Sequence, residues 1–207
     1  DLNEVAFEDA NYIANVPFFA RSPFRVIPHN LYTYPPKVRQ YLSQQHVKLV
    51  GSFPASLPHK NPNNPAHLPT GGVLDLNFSA PDYAVEYQFD RATDRYLRFM
   101  GGAPHLEASS GHQLAPSNVV ILTASIAPDP YGGPANPGAV YVQSTGKNVA
   151  YYFRDGKEFK GTWHKPHGSS HLQLLDDHKK PFKFNPGQTW IEVLPANGSM
   201  SWAPGKV

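Results

Sequence analysis

The chain contains no cysteine. That excludes disulfide staples, thiolate nucleophiles and cysteine-ligated zinc at once, so its 207 residues fold on burial and hydrogen bonding. Charge is scarce as well. Charged residues make up 16% of the sequence and the formal net charge is +2, far from the basic excess of a protein that neutralises many phosphates. Direct binding to nucleic acid is therefore not expected. No apolar run reaches the ~18 residues that a membrane-spanning helix requires. A Gly-x-Ser-x-Gly elbow is missing, and the pairs Gly101-Gly102 and Gly132-Gly133 lack a phosphate-loop context.

Turn formers are abundant instead. The 22 prolines and 16 glycines fall at segment edges, which predicts many short elements joined by stiff turns. Val38, Tyr41 and Leu42 share one helical face, Pro35 and Pro36 suit a first turn, and Thr33 is a plausible N-cap; the pattern predicts one helix over Tyr34–Gln45. Phe53 to Gly72 carries five prolines and three asparagines, and reads as an ordered loop or linker. From Val73 the texture is that of strands. Residues 84–89 alternate, 96–100 follow a polar turn, and Val119–Ile126 is apolar enough for a strand buried on both faces. Segments 139–144 and 148–154 come next, and Asp155-Gly156 signals a hairpin into 157–164. The series ends with 171–175, 182–184 and 189–194. The expected fold is mainly β, with a minor α+β segment over 1–72 and an antiparallel sandwich or barrel-like domain over 73–207.

Candidate chemistry concentrates in three places. Arg25, His29 and Asn30 lie on a proline-stiffened loop ahead of the helix. Arg25 and His29, with free N–H groups at the helix N-terminus and Asn30 as a further ligand-binding residue, could bind a carboxylate or phosphate there, and His29 could act as general acid/base. The plainer reading is that Asn30 and Thr33 cap local backbone and Arg25 pairs with an acid. A second cluster joins Arg98 to His105 and Glu107 across Gly101-Gly102, with Asp90 upstream at a hairpin turn. His105 and Glu107 are an acid/base pair or two metal ligands in one reading, and residues of a wide turn in the other. Third, His164, His167 and His171 have spacings of three and four, but Pro166 and Gly168 argue for a loop, so no metal and no cofactor are expected. Trp163 could stack on a sugar or belong to the core.

The order of segments resembles the YerB-like family of predicted bacterial lipoproteins, a family defined as a domain of unknown function. The stretches that carry the resemblance are 19–25, Pro28-His29-Asn30-Leu31-Tyr32-Thr33, Glu86-Tyr87-Gln88-Phe89-Asp90 and Tyr96-Leu97-Arg98. It continues through Gly102-Ala103-Pro104-His105, Asn118-Val119-Val120-Ile121, Gly161-Thr162-Trp163-His164-Lys165 and the tail 186–195. The resemblance implies a larger protein, of which 1–72 would be the end of a first domain, held outside the cytoplasmic membrane by an N-terminal lipid anchor absent from this chain. It leads one to expect Asp where Glu107 stands, and His167 and His171 are not part of the shared pattern.

Two functions compete at this stage. One is an envelope module that binds a ligand or protein, with the missing N-terminal segment as a further partner. The other is an envelope hydrolase or transferase using His29, His105, Arg25, Arg98 and Glu107 on an anionic or glycan substrate. An intracellular role beside DNA-processing machinery is a third reading, against which the low charge argues.

Overall fold

The computed structural model describes residues 19–27, 30–46, 57–128 and 140–206. Contacts divide the chain into two units, 1–54 and 55–207. In the first, β1 (Phe19–Arg21) pairs antiparallel with β2 (Leu31–Thr33), and α1 (Pro35–Gln44) follows. The helix starts one residue later than expected. Tyr34 rather than Thr33 is the N-cap, without a side-chain cap bond, and the proline pair occupies the first turn as predicted. His29, Pro28 and the segment 47–56 lie outside the described residues.

The second unit holds β3 (Gly72–Asn77), β4 (Val85–Asp90), β5 (Arg95–Met100), β6 (Ala103–Pro104), β7 (Asn118–Ala124), β8 (Ile126–Pro128) and β9 (Val140–Val142). It continues with β10 (Gly146–Arg154), β11 (Lys157–Lys165), β12 (Gln173–Leu175), β13 (Thr189–Pro195) and β14 (Ser199–Pro204). Two five-stranded sheets form, in the orders β14-β3-β4-β5-β6 and β12-β11-β10-β7-β13; β8 and β9 pair separately. Every pair is antiparallel except β13 with β7. The sheets pack face to face as a sandwich: Leu74, Leu76, Tyr87 and Tyr96 from one meet Val119, Ile121, Phe153 and Leu194 from the other.

The outer face of the second sheet is covered too. Val120, Leu122, Tyr152 and Trp163 pack with Leu174, Phe182 and Phe184 there. With both faces occupied, β7 must be apolar at consecutive positions, which is why Val119–Leu122 does not alternate. The first sheet alternates because its far face is open. The stretch expected to be a linker joins this unit: Leu68 is buried in the sandwich core, and Phe184 exchanges backbone hydrogen bonds with Pro58 and Lys60. No helix among the described residues is long and apolar enough to cross a membrane.

Candidate functional site

β5 alternates so that Tyr96 and Arg98 point inward, and β13 does the same with Trp190, Glu192 and Leu194. A buried arginine needs a counter-charge, and it finds one across the sandwich. Arg98 Nη2 lies 3.0 Å from Glu192 Oε1, with both side chains almost fully enclosed. Arg98 Nε donates to the Tyr87 hydroxyl at 3.0 Å, and that hydroxyl donates to Glu192 Oε1 at 2.6 Å. The guanidinium carbon sits 4.7 Å from the Trp190 ring centroid. Burial, followed by the Glu192 carboxylate, pushes the Tyr87 phenol well above its ordinary value, so it stays protonated as a donor.

His105 closes this cluster. Its backbone N–H returns to Arg98 C=O, its ring stands edge-on to Trp190, and its Nδ1 touches Arg98 Nη1. A guanidinium has only donors, so Nδ1 must accept and the neutral ring carries its proton on Nε2. Partial burial and the Arg98 charge both lower the His105 pKa. The imidazole is thus a fixed Nε2–H donor, with no lone pair on Nε2 for general-base work.

The other expected site residues are engaged elsewhere. Glu107 caps its own turn: its carboxylate accepts from the Ser109 and Ser110 amides at 3.0 and 2.7 Å and from Ser109 Oγ at 2.6 Å. Those bonds depress its pKa to about 2, although the side chain is exposed. Asp90 likewise caps the β4–β5 turn through the Ala92 amide and Thr93 Oγ1. Trp163 is core, its indole N–H donating to Thr123 C=O at 2.8 Å. In the first unit, Arg25 is exposed while Asn30 is buried in local bonds to Arg21 and Ser22. His164 meets Gln173, and no metal-sized group of three or more His, Asp or Glu occurs among the described residues.

Sequence reasoning missed Glu192, Tyr87 and Trp190. The signal was present: a lone acid at an inward position of an apolar strand demands a buried partner. It also missed a second buried cluster. Asp94 and Asp155 occupy left-handed positions in two hairpin turns, one from each sheet, with φ of +53° and +55°. Asn185 Nδ2 donates to both, at 3.2 and 2.9 Å, and Lys60 Nζ lies 3.2 Å from Asp155. Burial, then the Asp155 charge, raises the Asp94 pKa to about 6.

The open face of the first sheet shows a different arrangement. Register aligns Ser201, Asp75, Glu86 and Phe99 in one row across β14, β3, β4 and β5. All four line a shallow depression of about 670 Å³. Asp75 directly opposes Glu86, a like-charge pair that costs the sheet stability. Ser201 Oγ donates to Asp75 at 3.2 Å and Gln88 Nε2 to Glu86 at 2.6 Å, partly offsetting that cost.

The fold is that of a solved relative. The crystal structure of the YerB protein from Bacillus subtilis superimposes with a TM-score of 0.70 at 21% identity, over 97% of this chain and 68% of that one. In sequence, a Bacillus subtilis protein named "Putative lipoprotein YerB" is 25% identical over 201 residues, covering 95% of this chain. The chain spans 58% of that protein's length. Residues 74–191, from β3 into β13, match the family described as "Protein of unknown function (DUF3048) C-terminal domain", and it is to this family that the chain belongs.

Proposed function

We propose that the β unit is a binding module of the cell envelope that takes a hydroxyl-rich glycan on the open face of its first sheet. The carrying observation is the row Ser201–Asp75–Glu86–Phe99. Two carboxylates set directly opposite one another do nothing for the fold, and departures from local rules without structural gain mark functional positions. Carboxylates, a hydroxyl and the Gln88 amide accept and donate to sugar hydroxyls, while Phe99 offers a ring to the apolar face of a pyranose. The fate of the acid/base candidates supports binding over catalysis: Glu107 and Asp90 cap turns, and His105 accepts from Arg98. Envelope placement, with membrane attachment through a lipid anchor, rests on the name of the relative, a lipoprotein. The rest of the longer protein is a further partner.

Co-sedimentation with purified cell-wall sacculi tests the reading. The expected result is a retained wild type, with retention lowered about tenfold by Phe99→Ala or Glu86→Gln and unchanged by His105→Ala. Failure of sacculi to retain the wild type, or equal retention of the sheet-face variants, would sink it.

A further inference from the structure

The turn between β1 and β2 is unlike any other among the described residues. Three large hydrophobic side chains around one cation are exposed: Phe24 is 91% exposed, Val26 83% and Ile27 67%. Arg25 sits among them, also exposed. Isolated exposed hydrophobics are ordinary, but a contiguous apolar tip marks a contact surface. The tip is also built rather than loose. At its base, buried Asn30 accepts from Arg21 Nη1 at 2.7 Å and donates to Ser22 C=O at 3.1 Å. The Ser22 amide donates to Asn30 C=O at 2.8 Å, and Ser22 Oγ accepts from the Phe24 amide at 3.2 Å. Four hydrogen bonds thus hold an apolar tip toward the outside.

Charge identifies what it meets. Between Asp9 and Asp75 the sequence contains no acid, and residues 19–46 carry Arg21, Arg25, Lys37 and Arg39. Exposed Tyr32 and Tyr34 follow the tip, side chains with an apolar body and a polar end. An apolar tip on an acid-free cationic segment, bordered by tyrosines, fits the boundary of an anionic bilayer, where rings and aliphatics enter the acyl region and arginines meet lipid phosphates. We infer that Pro23–Ile27 is a membrane-insertion tip that docks the first unit onto an anionic lipid surface. This is independent of the glycan reading, which concerns the second unit.

The experiment is vesicle co-sedimentation of the whole chain, using phosphatidylglycerol-containing vesicles beside pure phosphatidylcholine. Wild type should bind the anionic vesicles at least about tenfold better, with binding weakened by salt. The triple change Phe24→Ser, Val26→Ser, Ile27→Ser should lower binding about tenfold while leaving the circular dichroism spectrum unchanged, and Arg25→Glu should lower it less. All three tryptophans belong to the second unit, so Phe24→Trp adds a local reporter whose emission should shift to the blue with anionic vesicles. Absence of vesicle binding by wild type, or binding by the triple variant equal to wild type, overturns the inference. So does a triple variant that changes the oligomeric state or thermal stability instead of vesicle binding, which would assign the tip to protein contact.

Discussion

The two buried polar clusters of the β unit solve the same problem to different degrees. Around Arg98, one guanidinium is shared among a carboxylate, a phenol, an imidazole and an indole face, from strands of both sheets. Around Asn185, two aspartates, a lysine and Arg154 gather near two hairpin turns, yet Asp94 Oδ1, Asn185 Oδ1 and Arg154 Nε and Nη1 are buried without a hydrogen-bond partner among the described residues. Arg154 lies over the faces of Phe159 and Phe182, 4.9 and 4.8 Å away, and its Nε is 3.8 Å from Asp155 Oδ2, a long ion pair. The first cluster sits on strands, whose pleat fixes side-chain direction every second residue. The second gathers where two turns meet Arg154 at the end of β10, and left-handed backbone at Asp94 and Asp155 dictates the geometry of those turns before polar satisfaction is considered. The network centred on Arg98 is completed, whereas the one gathered around the turns keeps unsatisfied atoms, on Arg154 at the end of β10 as well as on Asp94 and Asn185.

The largest break in that comparison should come from Glu192→Ala. It strands the Arg98 charge and should cost about 3 kcal/mol or more in urea unfolding. The paired change Arg98→Met with Glu192→Leu should restore most of that loss, since apolar replacement removes the charge along with its partner. A paired variant no more stable than the single one would mean the cluster is held by more than its charges. Asn185→Ala comes next, at about 2 kcal/mol, because it removes the donor common to Asp94 and Asp155.

A pH series sharpens the contrast. The Asp94 carboxyl titrates at about 6 in the folded chain against 3.8 ordinarily, so the folded state holds its proton more tightly. Stability from this group is therefore greatest below about pH 4 and declines as pH rises through about 6. After allowance for solvent screening the loss is about 1 kcal/mol, and Asp94→Asn should flatten the slope and raise the denaturation midpoint at pH 7. His105 has the opposite sign: its lowered pKa means stability falls as pH drops below the usual histidine value of 6.5, a slope that His105→Gln should erase. Glu107→Gln is the smallest effect. Its depressed carboxyl contributes stability that is fully present above the ordinary value of 4.5 and is lost progressively as pH falls toward about 2; because the side chain is exposed, the change at neutral pH should be no more than a thermal melt barely resolves.

Much of the β unit is legible in the amino-acid sequence alone. The Asp155-Gly156 pair predicts the β10–β11 hairpin, and both residues do take positive φ, +55° and +66°. The continuous run at 119–122 marks a strand with two covered faces. Other elements are not legible because their reason lies outside them. Ser199–Pro204, with a proline and two serines, has no strand pattern of its own; it is β14 because β3 offers it a full edge. Val119–Ile126, which reads as one strand, is divided at Ser125 into β7 and β8 because β8 pairs with β9 in another sheet.

The candidate site divides in the same way. Arg98 and His105 stand out by chemistry and spacing, and the fold does bring them together. Glu107 lies two residues from His105 in sequence, yet its carboxylate turns to the Ser109 and Ser110 amides, since a capping bond within three residues needs no long-range closure. Alternation, turn chemistry and the absence of cysteine are local properties, so the sequence by itself determined a mainly β chain with one short helix and its principal hairpins. Which inward charge meets which, and which four side chains form a row on an open sheet, depends on strand order and register. Those were decided by strand pairing and sheet packing that join distant parts of the sequence, as Asp75 and Ser201 are joined across 126 residues.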